Sequence, residues 1–166
     1  MRMRMTWMLA ASLIGLATVA SANDSEAERA SLTGLTSLSV VVEDLAAVAG
    51  KSGLVGATLE ADVERRLRQA GISVTSDADA YLYVRVTVGD PGGSLPLAYV
   101  VDVSLMQTVT LPRGLKTRTP LQCPTWWVNN LGMAGPDRLR VVVSDRVGQF
   151  ADQFVRAYRS VNPLGK

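Results

Sequence analysis

The sequence contains no histidine and only one cysteine, Cys123, among its 166 residues. Without an imidazole, the chain has no histidine general base, no histidine-dependent serine or cysteine triad and no histidine-containing zinc site. A single cysteine also excludes a disulfide bond within the chain, so the folded state must be stabilised by its core. We expect Cys123 to pack half-buried, with pairing between two chains as the alternative.

Charged residues are also scarce, and the two signs almost balance. They make up 19% of the chain against 48% hydrophobic residues, a composition typical of one small globular domain and not of a disordered chain. The 17 Lys and Arg residues nearly match the 15 Asp and Glu residues, and Arg65, Arg66 and Arg68 are interleaved with Glu60, Asp62 and Glu64. Because nucleic-acid-binding proteins concentrate basic residues on one face, we expect no nucleic-acid partner.

Residues 1–22 have the pattern of a secretory signal peptide. Two arginines precede the apolar stretch 7–19, and residues 20–22 (Ala-Ser-Ala) are the small residues that signal peptidase accepts. The apolar stretch is shorter than the roughly 20 residues of a membrane span. We predict cleavage before Asn23, which gives a periplasmic or secreted protein with no membrane span and with 15 basic and 15 acidic residues. A lipoprotein would carry a cysteine at Asn23, so no lipid anchor is expected.

Hydrophobic periodicity predicts a single α+β domain over residues 35–163, preceded by a flexible tail over residues 23–34. Strands are predicted where apolar and polar residues alternate: 38–43, 72–74, 81–88, 99–109 and 125–128. Residues 59–70 and 136–161 instead repeat apolar residues with helical spacing. Gly148 in the second helix is expected to mark close packing against the sheet.

The resulting order, β-α-β-β-β-β-α, favours a two-layer sandwich. We expect a four- to five-stranded mixed or antiparallel sheet with both helices on one face. The other face of the sheet would then meet solvent.

This open face carries the candidate binding residues. The predicted registers place on it the aromatic, arginine and methionine side chains that protein interfaces favour: Tyr81, Tyr83, Arg85, Met106 and Trp127. Their polar neighbours are Asp102, Ser104, Thr108 and Thr125. Adjacent strand residues point to opposite faces, so Trp126 is assigned to the core when Trp127 faces outward. The alternative is that these side chains only stabilise the sheet, at about 0.2–1 kcal/mol per cross-strand pair.

No catalytic, metal-binding or cofactor-binding set of residues is predicted. Glu43 and Asp44 adjoin, but glycoside hydrolysis needs two carboxylates that face each other across a cleft. The acids of the first helix alternate with arginines, as on a solvated face. Residues 89–93 are rich in glycine but lack the Lys-Ser/Thr ending and the following helix of a phosphate-binding loop.

The segment EADVERRLRQAGI, followed by AYLYVRVTV and by a long helix ending in FVRAYRSVNP, resembles small bacterial envelope proteins of unassigned function. More distantly, the chain is similar to the α+β periplasmic lipoprotein that partners the lipopolysaccharide-inserting barrel and to the N-terminal domain of the Tol-system propeller protein. The likeness covers about residues 35–161 at the level of architecture and transfers no functional residue. It implies a periplasmic helper that works by contact.

These observations favour an exported, non-enzymatic module that binds an envelope protein partner through its open sheet face or by adding a strand at a sheet edge. The alternative is a carboxylate-dependent hydrolase that acts on cell-wall sugar, with Glu43 or Asp102 in its cleft. A third interpretation is a homo-oligomer that forms through the same sheet face.

Overall fold

A mixed sheet of five strands packed against two long helices forms the fold. The computed structural model describes residues 24–92, 96–110 and 120–163. The predicted α+β class is confirmed. The predicted signal peptide lies outside the described residues, as do residues 111–119 and the end of the chain.

Nine elements follow one another along the described chain. They are α1 (Glu26–Ala30), β1 (Ser37–Val42), α2 (Ala47–Lys51), α3 (Gly56–Gln69), β2 (Ser73–Val74), β3 (Tyr81–Gly89), β4 (Leu97–Val109), β5 (Leu121–Ala134) and α4 (Pro136–Val161). The strand order in the sheet is β2-β1-β3-β4-β5. β1 is parallel to both of its neighbours, whereas β3, β4 and β5 are antiparallel. The two short helices, α1 and α2, are additions to the predicted order.

Alternation along the strands decides which face of the sheet is buried. On β3 the even-numbered residues from Leu82 to Val88 are buried, and on β4 the odd-numbered residues from Leu97 to Leu105 are buried. Both long helices cover this face with apolar side chains at helical spacing. The large apolar residues that they bury include Leu59, Val63, Leu67, Leu139, Val143, Val147 and Phe154. One continuous core results.

The contact between α3 and α4 includes an ion-pair bridge. The Arg66 guanidinium lies 2.9 Å from an Asp62 carboxylate oxygen on its own helix and 2.8 Å from an Asp152 oxygen on α4. A Cβ atom added at Gly148 would approach Nη2 of Arg66 to 2.8 Å. Gly148 therefore makes room for this arginine, which corrects the expectation that it packs closely against the sheet.

Residues 24–34 differ from the flexible tail that the sequence predicts. Ser25 and Glu28 form a capping box, in which each side chain accepts a hydrogen bond from the other residue's backbone N–H, and this starts helix α1. Leu32 is fully buried in the core, and the Asn162 side-chain amide donates to its carbonyl oxygen at 2.8 Å. This part of the predicted tail therefore belongs to the packed structure.

Asp24 links this segment to the core, which makes stability depend on pH. Its Oδ1 accepts hydrogen bonds from Trp126 Nε1 at 3.1 Å and from Arg29 Nε at 2.9 Å. Burial alone would raise the pKa of Asp24, but the hydrogen bonds from Arg29 and Trp126 outweigh it and leave the pKa below its ordinary value. A carboxylate with a depressed pKa in the folded state stabilises the fold fully above its unfolded-state pKa and loses this contribution as pH falls through the folded-state value.

We therefore expect the free energy of unfolding to decrease as pH falls below about 4. Asp24→Asn should lower stability near neutral pH and flatten part of this dependence, because the charged hydrogen bonds are gone. Urea unfolding followed between about pH 7 and pH 2 measures both effects. Asp44→Asn, which removes an exposed carboxylate, is the control. Parallel pH curves for the parent and Asp24→Asn proteins would contradict the explanation.

Candidate functional site

The open face of the sheet, on the side away from α3 and α4, is the candidate site. The strand registers arrange its side chains in rows that cross the sheet. The central row, from β1 to β5, is Val41, Tyr83, Ser104 and Trp127. The next row contains Tyr81 and Met106, which are partners across β3 and β4. On the other side of the central row, Arg85 faces Asp102. The structure thus places all five sequence-predicted residues on one face.

The aromatic part of this face combines packed and exposed side chains. The Tyr81 and Tyr83 rings meet edge to face, with 6.3 Å between their centroids. The Ser104 hydroxyl lies 3.9 Å from the Met106 sulfur. Trp127 remains 40% exposed, whereas the adjacent Trp126 is fully buried. The inward assignment of Trp126 is therefore confirmed.

The open face carries an ion pair and a carboxylate beside Tyr83. Arg85 Nη2 lies 3.3 Å from Asp102 Oδ2, so these two residues form a solvent-exposed ion pair. Burial raises the pKa of the Tyr83 hydroxyl, and the Glu43 carboxylate beside it raises the pKa further. Both effects favour the neutral phenol.

The two acids named in the hydrolase alternative do not face each other across a cleft. Glu43 directly follows β1, and Asp102 lies on β4, with strand β3 between them. Asp102 is also engaged by Arg85. Among the residues that the structure describes, no group of three or more Cys, Asp and Glu side chains is placed to hold a metal ion. No helix in the described ranges is long and apolar enough to cross a membrane.

The register of β5 differs from the prediction at Thr125. Trp126 lies opposite Leu105 and Pro124 lies opposite Met106, so Thr125 has no partner on β4 at this β-bulge. The Thr125 hydroxyl instead donates to the Gln107 side chain at 2.6 Å. Pro124, and not Thr125, completes the row that contains Met106.

Sequence analysis missed three exposed apolar residues on this face. Val41 is 40% exposed at the β1 end of the central row. Leu131 and Met133, on β5, are 70% and 65% exposed and are the most exposed large hydrophobic residues in the described part of the chain. They were missed because the predicted last strand ended at residue 128. Residues 131 and 133 are separated from Trp127 by even numbers of positions, so the alternation that places Trp127 on the open face also places them there.

Comparison with known proteins gives a likeness of fold only. No protein-family model matches the chain, and no curated protein sequence matches it. A PelC dodecamer from Paraburkholderia phytofirmans is similar over 69% of this chain and 82% of that chain, with a TM-score of 0.40 and 13% identity. The rare lipoprotein B from Shewanella oneidensis is similar over 76% of this chain and 96% of that chain, with a TM-score of 0.34 and 15% identity. Likeness at this level assigns no activity and no partner.

Proposed function

We propose that this chain is an exported, non-enzymatic module that binds another protein of the cell envelope through the open sheet face. The observation that supports binding most is the central row, where Val41, Tyr83 and Trp127 present apolar surface to solvent. Aromatic residues and methionine are enriched where proteins meet. Export rests on the signal-peptide pattern of residues 1–22.

The exposure of the row favours binding over sheet stabilisation alone. Side chains that serve only as cross-strand pairs gain their energy from each other, at about 0.2–1 kcal/mol per pair. Val41 and Trp127 stand at the two ends of the row, each 40% exposed. Much of their apolar area therefore remains available to a partner, and removal of such area from water contributes about 25 cal/mol per Å².

The charges on this face specify the chemistry of the partner. Arg85 and Asp102 neutralise each other, and the raised pKa of Tyr83 further favours its neutral form. The Glu43 carboxylate lies beside Tyr83 on the same face. A face without an excess of positive charge does not attract a polyanion such as nucleic acid. It suits a neutral, mainly apolar patch of another protein, with hydrogen bonds at the rim from tyrosine hydroxyls.

Photo-crosslinking in cells tests this function. A photoreactive residue at position 83 should trap one dominant envelope protein, which mass spectrometry identifies. The control position is Val141, which is 42% exposed on α4 and lies on the helix layer away from the site. Trp127→Ala should reduce the adduct formed from position 83 about tenfold, which corresponds to 1.4 kcal/mol of binding energy. A ladder of unrelated adducts, or equal trapping from position 141, would contradict the proposal.

A further inference from the structure

β5 forms one edge of the sheet and has no charged side chain in its 14 residues. An edge strand presents unpaired backbone N–H and C=O groups, and monomeric proteins protect such edges with charges, shortness, prolines or bulges. The opposite edge strand, β2, has only 2 residues. One edge of this sheet is therefore protected by its shortness, whereas the other is long and uncharged.

Only the first part of β5 is covered by other described residues. Pro124 and the β-bulge interrupt the strand there. Ser31, which follows α1, donates a hydrogen bond to the Thr125 carbonyl at 3.2 Å, and Asp24 accepts one from Trp126. In the described ranges these covering contacts end at Trp126, so residues 127–134 form the free part of the edge.

The free part of the edge also carries the most exposed apolar side chains. Trp127, Leu131 and Met133 lie on the open face of β5 because they pair with Ser104, Val100 and Ala98 on β4. The three side chains therefore form a stripe along the outermost strand. Such a stripe next to unpaired backbone groups is typical of a surface that receives another strand.

We propose that residues 127–133 of β5 pair antiparallel with the same residues of a second copy of this chain, around a two-fold axis at Asn130. This pairing would join the two five-stranded sheets into one and place both open faces on the same side. The two-fold axis brings Trp127 opposite Met133 of the other copy, and methionine contacts with aromatic rings are favourable. Each Leu131 lies diagonally across from Leu131 of the second copy, at a distance that large side chains can span.

The absence of charge on the strand is the reason to identify the partner as a second copy. An isologous pair brings each side chain against a residue of the same strand, so a strand that carried lysine or glutamate would bring like charges close together. β5 contains neither, and the pairing matches its apolar residues with each other. Charges on a strand help to discriminate between partner sequences, and β5 has none with which to favour a foreign strand. The inference shares Trp127 with the proposed function, but it uses the strand edge and leaves Tyr81, Tyr83 and Arg85 free.

Analytical ultracentrifugation of protein produced from the full chain tests the inference. We expect a concentration-dependent equilibrium between monomer and dimer. Leu131→Lys should raise the dimer dissociation constant about tenfold or more, because it brings two positive charges to the two-fold axis. Val55→Lys is the matched control, since Val55 is 55% exposed and immediately precedes α3, away from β5. Its dissociation constant should equal that of the parent.

Engineered cysteines test the register of the pair. In a Cys123→Ser background, Asn130→Cys should form a disulfide-linked dimer under mild oxidation, because residue 130 meets its own copy. Gln122→Cys in the same background, on the same strand but outside the paired segment, should not.

A protein that is monomeric at all concentrations would overturn the inference, as would a dimer that Leu131→Lys leaves intact or a foreign protein bound to the edge. Crosslinks from position 83 report the face separately, so failure of one proposal does not entail failure of the other.

Discussion

Replacement of Trp126 with alanine is expected to lower the free energy of unfolding by about 3–5 kcal/mol. The Trp126 ring is fully buried and meets the Phe154 ring of α4 edge to face, with 5.2 Å between the centroids. Its Nε1–H donates a hydrogen bond to Asp24. The alanine variant would leave a cavity between β5 and α4 and would release this link to the N-terminal segment. Trp127→Ala should change stability by less than about 1 kcal/mol, because Trp127 lies on the open face.

The two adjacent tryptophans form a matched pair of variants. Urea unfolding at neutral pH, followed by far-ultraviolet circular dichroism, gives the midpoint and slope for each variant. Trp126→Phe keeps an aromatic ring and loses the indole N–H, so it should fall between the parent and Trp126→Ala; it also remains informative if the alanine variant fails to fold. A larger loss for Trp127→Ala than for Trp126→Ala would show that the faces of β5 are assigned wrongly.

The buried face of the sheet can be predicted from the sequence, but the order of its strands cannot. In β3, Leu82, Val84, Val86 and Val88 alternate strictly with the residues between them. The buried face and the placement of Tyr81, Tyr83 and Arg85 therefore follow from period two alone. The order of strands in the sheet does not follow, because β1 lies between β2 and β3, which come later in the chain. Val41 joins Tyr83 only through that order, which explains why it was missing from the candidate site.

Two other parts of the structure, α1 and the second half of β5, differ from the prediction because contacts distant in sequence stabilise them. The sequence Ser25-Glu-Ala-Glu28 is a capping-box pattern, but the helix that it starts has only 5 residues and shows no apolar face. Its stability comes from contacts with the core, such as the burial of Leu32, which a local pattern does not contain. At β5, Asn129, Asn130 and Gly132 have low strand propensity, so the predicted strand ended too early. Pairing with β4 along the whole strand overrides that preference.

Gly132 is a poor strand former in the longest strand, and its packing against Tyr99 explains why it stands there. Its replacement has the second large expected effect. Gly132 is the cross-strand partner of Tyr99, whose side chain is buried. A Cβ atom at position 132 would lie 2.9 Å from Tyr99 Cε1 and closer still to Cζ and the hydroxyl oxygen. The tyrosine ring therefore lies across the glycine and fills the place where a side chain would stand.

Intrinsic propensity alone would make Gly132→Ala stabilising by roughly 0.5–1 kcal/mol. We expect the opposite sign, a loss of about 1–3 kcal/mol in the free energy of unfolding, because the rigid ring of Tyr99 must move out of a packed site. Gly89→Ala is the control: a Cβ at Gly89 would meet only the Ala98 carbonyl oxygen, at 4.0 Å. That variant should stay within about 0.5 kcal/mol of the parent.

A double-mutant cycle isolates the clash from other effects of the new methyl group. In a Tyr99→Ala background the ring is absent, so Gly132→Ala should lose its destabilising effect, and the two substitutions should couple by about 1–3 kcal/mol. Chemical denaturation of the four proteins measures this coupling. If Gly132→Ala destabilises equally in both backgrounds, the glycine is required for its backbone and not for the space under Tyr99. If it stabilises the parent, the packing of Tyr99 against Gly132 is not tight, and strand propensity governs this end of β5.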